Sequence, residues 1–261
     1  MGILNATPDS FSNGGVEADL AAAQRMIADG ADWLDVGGES TRPGATSVSE
    51  ARELERAIPL IEAIRASNAI PISIDTMKPA VARAAMAAGA TMWNDVTALR
   101  GSPRSPETAA DLGCEIVLMH MQGDPATMQV APRYDDVVGE VIAFLAARAE
   151  AAMAAGVARD RIWLDPGIGF GKTTAHNLEL LTAIDQIVAL GFPVLIGASR
   201  KGFIRAIDPA AAEPCDRLGG SLATALAGAR AGVSMVRVHD VRETVQALAT
   251  ASAIEGARVH G

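Results

Sequence analysis

The sequence predicts an α/β fold of the (β/α)8 or TIM-barrel type, built as a single domain over residues 1–261. Three observations carry that reading. Eight short apolar runs alternate with helical segments, the pattern of parallel strands joined by crossover helices. The runs stop in turn at Asn5, Asp35, Asp75, Asn94, His120, Asp165, Ser199 and His239, as strand ends do on the carboxyl-terminal rim of a barrel. The length of 261 residues is close to the roughly 250 that one barrel takes. An open doubly wound sheet shares the alternation, so the count of eight and the length decide for the barrel.

The first unit is a strand over 1–5, a loop over 7–15 and a helix over 17–29, with Leu20, Ala23 and Ile27 on its apolar stripe and Gly30 as its cap. The second has a strand over 33–36, an irregular loop over 37–46 and a helix over about 48–66, which Pro59 should kink or divide. Strand 70–75 leads to helix 79–88, where Pro79 suits the first turn, and strand 91–94 leads to helix 105–112. Strand 115–119 precedes a turn-rich loop and a long helix over about 135–155, whose alanines favour helix. The last three strands cover 162–164, 193–196 and 235–238, followed by helices over 176–190, within 201–229 and over 241–254.

Apolar residues make up 49% of the chain but aromatic residues only 3%, so the interior must be filled mainly by small and branched aliphatic side chains. A net charge of −9 argues against a broad phosphate-tracking surface, which excludes nucleic acid as the expected partner. Any anionic ligand must then meet a local cluster of cations. Cys114 and Cys215 fit neither a metal spacing nor a disulfide framework, which points to a reducing cytoplasm. No uncharged apolar stretch approaches a membrane span, and no basic leader precedes Gly2.

Several motifs fail on inspection. The run Gly167-Ile168-Gly169-Phe170-Gly171-Lys172-Thr173 resembles a phosphate loop, but Pro166 stands where its first glycine belongs. Gly197-Ala198-Ser199-Arg200-Lys201 lacks the second glycine of a nucleophile elbow. The four histidines show no paired helical spacing for zinc.

A positive constellation remains. Asp75, Asn94 and Asp165 present carboxylate or amide edges suited to a planar, nitrogen-rich heterocycle. A carboxylate facing a ring N–H and an exocyclic amine makes paired charge-assisted hydrogen bonds, each worth roughly 1.5–3 kcal/mol. Any one of the three residues equally suits a helix N-cap. Arg237 and His239, separated by one residue, project to the same side of a strand and with Asn5 form a phosphate pocket to which a diphosphate brings Mg²⁺. For Arg237 the alternative is an ion pair inside the barrel. Arg200 and Lys201 lie just past the seventh strand, where barrels hold phosphate or shield a ligand face.

These residues lie in segments that resemble the dihydropteroate synthase family along nearly the whole chain. The matching stretches are Met1-Gly2-Ile3-Leu4-Asn5, Thr7 to Ser12, Asp35 to Gly44 with Gly37-Gly38-Glu39-Ser40-Thr41-Arg42-Pro43 inside it, Asp75-Thr76, Leu118 to Gly123, Asp165-Pro166-Gly167, Ser199-Arg200-Lys201 and Arg237 to Asp240. The resemblance implies a (β/α)8 barrel that joins p-aminobenzoate to 6-hydroxymethyl-7,8-dihydropterin diphosphate in folate synthesis. It places Asp75, Asn94, Asp165 and Lys201 on the pterin, and Asn5, Thr41, Arg237 and His239 on the diphosphate, with Asn5 beside Mg²⁺. It further implies catalytic roles for Asp9, Arg42 and Lys201, and a p-aminobenzoate site shaped by Phe11, Pro43 and Ser199. Sulfonamides as inhibitors, a homodimer and a cytoplasmic location are also implied.

The sequence departs from the family pattern at Ala6 and Asn13, where Val and Asp are usual. Met1 opens the first strand directly, so the expectation is a barrel without the family's usual covering segment before it. Asp35 and His120 are left to brace the rim. A related pterin-binding methyltransferase, which would have no use for Arg237-Val238-His239 or the two long loops, and a non-catalytic pterin-binding barrel are the competing readings.

Overall fold

Strand pairing in the computed structural model, described for residues 1–6, 15–40, 47–124 and 127–258, closes into a ring. β1 (Gly2–Asn5), β2 (Leu34–Gly37), β3 (Ile72–Asp75), β4 (Met92–Asp95), β5 (Glu115–Met119) and β6 (Ile162–Asp165) are parallel neighbours in chain order. β7 (Leu195–Ile196) and β8 (Met235–Val236) form a second parallel pair. Parallel bridges from Leu164 to Val194 and from Gly2 to Val238 join the two sets at both seams. This is the expected eight-stranded barrel.

Its side chains divide by strand period. Leu34, Val36, Ile72, Ile74, Trp93, Ile116, Leu118, Ile162 and Leu164 face outward into the main core, under the helices. The alternate residues point into the barrel, where Met1, Met92, Val117 and Leu195 pack with Trp33, Trp163 and Met235. Above that apolar floor the same inward row turns polar. Register pairs Asn5 with Gly37, Gly37 with Asp75 and Asp75 with Asn94, so three of the expected ligand residues share one row. Asp165 pairs with Met119 and lies two residues above Trp163, on the same inner face.

The helices follow as α1 (Gly15–Ala28), α2 (Glu50–Ser67), α3 (Pro79–Ala87), α4 (Ser105–Leu112), α5 (Val137–Ala154), α6 (Thr174–Thr182), α7 (Ile184–Val188), α8 (Gly202–Ile207), α9 (Leu218–Arg230) and α10 (Val241–Arg258). Gly30 adopts the left-handed conformation just past α1, as a cap should, with φ +96°. Two expectations need correction. α2 runs through Pro59 without an inner boundary, because Ala57, Leu60, Ile61 and Ile64 bury one continuous face across the proline. The helix expected over 176–190 is two helices, broken at Ala183, and nothing in the local sequence explains the break. β7 and β8 are shorter than expected, yet their ladder continues through Arg237 N–H to the Ile196 carbonyl (2.8 Å) and Val238 N–H to that of Met1 (2.9 Å).

One rim turn depends on glycine for both conformation and space. Gly167 has φ +66°, and a Cβ there would collide with the carbonyl oxygen of His120. Gly167→Ala should cost about 3 kcal/mol or more from backbone strain plus the clash, read as a lower urea midpoint at unchanged slope.

Candidate active site

A cavity of about 630 Å³ opens at the carboxyl-terminal end of the barrel. Asn5, Asp75, Ser199, Lys201, Arg237 and His239 line it, so strand ends from opposite sides of the ring meet in one space. Asn94 and Asp165 are buried and do not line it; Asn94 is tied to the lining Arg237 through Asp35. Asp9, Phe11, Thr41, Arg42 and Pro43 lie outside the described residues.

The centre of the floor is an ion network that no local sequence pattern announces. Arg237 Nε donates to Asp35 at 2.5 Å, and its terminal nitrogen donates to Asp75 at 2.9 Å. Asp35 is fully buried and also accepts from the Asn94 amide nitrogen at 3.3 Å, which turns the Asn94 carbonyl oxygen the other way as an acceptor. Asp35 therefore ties the expected pterin amide to the expected diphosphate cation. The ion-pair alternative for Arg237 is realised, and the same side chain still lines the cavity.

Electrostatics poise these carboxyls. Burial raises the pKa of Asp75, opposed by the Arg237 guanidinium and reinforced by the negative charge of Asp35. Its Oδ1 is buried with no partner among the described residues, which leaves an acceptor for a ligand N–H. Asp165 is likewise pushed up by burial, against the Gly167 N–H that its Oδ1 accepts at 2.7 Å and the positive charges of Lys201, Arg237 and Lys172. Asp95, one residue past Asn94, accepts from Thr97 N–H and Leu99 N–H and braces the turn after β4.

Across the cavity, Ser199 Oγ accepts from His239 N–H at 3.2 Å and lies 3.0 Å from His239 Nδ1. The hydroxyl proton can then serve Nδ1, which assigns the ring proton to Nε2, a donor suited to a phosphate oxygen. Arg200 pairs with Asp240, its Nε donating at 3.0 Å, and both it and Lys201 line the cavity. Lys201 Nζ stands 4.0 Å from the centre of the Phe170 ring, which also lines the cavity. Glu39, another lining residue, shares Lys78 with the buried Glu53 at the entrance to the second long loop.

Sequence reasoning missed Phe170, Lys172 and the joint role of Asp35. The first two sit in the glycine-rich run after β6; rejection as a phosphate loop left its rim position unused.

Comparison with known proteins follows the same lines. Residues 1–239 match the family described as pterin binding enzyme. Dihydropteroate synthase of Escherichia coli is 46% identical over 266 aligned residues, covering 99% of this chain and 93% of that one. The chain belongs to the dihydropteroate synthase family. The Yersinia pestis dihydropteroate synthase in a sulfonamide drug complex superposes with TM-score 0.93 at 43% identity, covering 98% of this chain and 94% of that one. The Xanthomonas albilineans dihydropteroate synthase with 4-aminobenzoic acid superposes with TM-score 0.92 at 50% identity, with 98% and 92% covered. Such agreement places this member of the dihydropteroate synthase family on the barrel fold of these relatives over 98% of its length.

Proposed function

We propose that this protein condenses p-aminobenzoate with 6-hydroxymethyl-7,8-dihydropterin diphosphate, releasing 7,8-dihydropteroate and diphosphate. The observation that carries the reading is the placement of acceptor carboxyls and phosphate-seeking donors around one cavity, Asp75 beside Arg237 and His239. Asp75, with Asn94 and Asp165, accepts hydrogen bonds from the pterin edge. Asn5, Thr41, Arg237 and His239 hold the diphosphate.

Departure of diphosphate leaves a cationic methylene stabilised by the pterin ring, so electrostatic clamps matter more than a strong base. Arg237 and His239 take up the negative charge that develops on the leaving group, while Asp9 and Arg42 attend the departing diphosphate and the cation. Lys201 covers the pterin ring, and Phe11, Pro43 and Ser199 shape the p-aminobenzoate end. An aniline nitrogen is already nucleophilic at neutral pH. Water must be kept from the site, because it would otherwise capture the cation.

Mg²⁺ belongs to this reading as a companion of the diphosphate. Among the described residues no cluster of His, Cys, Asp or Glu could hold a metal, whereas the Asn5 amide oxygen is a hard donor suited to Mg²⁺ shared with phosphate oxygens. When bound, the metal would neutralise charge on the leaving group. Sulfonamides should compete with p-aminobenzoate, as the Yersinia pestis complex supports.

The reading extends to one domain, a cytoplasmic setting and a homodimer. Unpaired Cys114 and Cys215 suit a reducing compartment, and no described helix is long and apolar enough to cross a membrane. An open groove between α9 and α10, lined by Leu222, Leu226, Ala247 and Ile254, supports pairing through that face.

Steady-state assay with both substrates and Mg²⁺ should give dihydropteroate and diphosphate in equal amounts. Folded protein that binds pterin without turnover would make it a binding barrel. Methyl transfer from a reduced folate would make it a methyltransferase.

A further inference from the structure

Lys172 takes no part in the steps above, yet its side chain is buried in the wall of the cavity, only 3% exposed. Its ammonium lies 2.9 Å from the Gly167 carbonyl, 3.0 Å from that of Phe170, 3.4 Å from that of His120 and 2.9 Å from His120 Nδ1. An ammonium has three N–H donors and no acceptor, so these four acceptors saturate it and Nδ1 must be unprotonated. The electrostatics agree: burial and the nearby Lys172 charge push the His120 pKa down to about 3. Burial also lowers that of Lys172, to about 7, against the favourable charge of Asp165.

A buried ammonium is costly, so its partners show what it is for. Gly167, Gly169 and Gly171 all have positive φ, at +66°, +83° and +61°, conformations that glycine visits without fixing. The turn must therefore be held by groups outside it. Gln129 donates to the Gly169 carbonyl at 2.6 Å and Tyr134 to that of Gly171 at 2.7 Å, gripping the residues either side of Phe170. Lys172 takes the carbonyls of Gly167 and of Phe170 itself. His120, packed edge-on against Phe144 with ring centres 4.9 Å apart, anchors Lys172 to the end of β5.

We propose that Lys172 and His120 are a positioning pair that fixes the 167–171 turn and so holds Phe170 against Lys201, as the aromatic and cationic face that receives p-aminobenzoate. An aromatic carboxylate is the substrate whose two ends match that face, a ring against Phe170 and a negative charge near the Lys201 ammonium. The inference rests on the reaction proposed above and adds the residues that set its second substrate in place.

The test is Lys172→Met in the full chain, with both substrates varied. The KM for p-aminobenzoate should rise at least tenfold. The calorimetric Kd for the pterin diphosphate should rise by a clearly smaller factor, felt only through the Gly167 N–H and the Lys172 charge that support Asp165. Phe170→Ala should raise the same KM, and Lys172→Met added to it should raise it little further, because both act through one ring. Equal loss for both substrates, or fully additive effects, overturns the proposal. Should Lys172→Met not fold, His120→Leu carries the test: its KM for p-aminobenzoate should rise at least threefold, and an unchanged value overturns the pair. Failure of the proposed reaction is distinguishable, since it would appear as no dihydropteroate from the unsubstituted protein.

Discussion

Arg237→Met should weaken binding of the pterin diphosphate by about 10- to 100-fold while p-aminobenzoate binding changes little. A charged hydrogen bond contributes about 1.5–3 kcal/mol, and each 1.4 kcal/mol is tenfold in affinity. Titration calorimetry with each substrate separately checks it. An unchanged affinity for the pterin diphosphate would show that the pocket has been misassigned. Stability should suffer as well, because Asp35 and Asp75 lose the cation between them. Removing one partner of such a network costs about 3–5 kcal/mol, softened if one carboxyl takes up a proton. The sign with pH follows. Burial already raises the Asp75 pKa, and loss of Arg237 removes the largest opposing influence, so the folded variant should hold that proton more tightly than the unfolded chain. The variant should therefore recover stability as pH falls toward the ordinary carboxylate range and lose it again as pH rises through the raised pKa. Urea midpoints between pH 5 and 8 would show this.

Asp75→Asn should separate binding from folding. Loss of one or two charge-assisted bonds to the pterin should weaken 6-hydroxymethylpterin by about 10²–10⁴-fold, since an amide turns a donor toward one of the ligand's own donors. The melting temperature should fall little or rise. Asp75 carries a buried Oδ1 without a partner among the described residues, and relieving that charge offsets part of the lost bond to Arg237, which keeps Asp35. Scanning calorimetry with ligand titration reads both quantities on one sample. Retained pterin affinity would remove Asp75 from the cradle.

The inward face of Asn5, Asp75, Asn94 and Asp165 was legible because strand period is local: once a run is a strand, its last polar residue has a face. Arg237 and His239 were legible for the same reason. Their bonds were not, since Arg237 reaches Asp35 across 202 positions and Asp75 across 162, distances that no spacing rule spans. Asp35 looked spare because its partners are on β4 and just past β8. Lys172 looked like a failed phosphate loop because its acceptors are carbonyls, which every sequence contains. Boundaries failed where tertiary packing outweighed local preference, as in α2 across Pro59.

The site is also divided by the kind of backbone that carries it. Groups assigned to the pterin and diphosphate ride mainly on strand ends, whereas Phe170 and Lys201 ride on turns after β6 and β7. An inhibitor resting on the turns meets positions where one side chain can be exchanged and the barrel still assembles. An inhibitor shaped to Asp75, Asn94 and Arg237 meets a row in which escape by substitution surrenders the substrate along with the drug. The strand-borne end of this cavity is thus the harder target to evade.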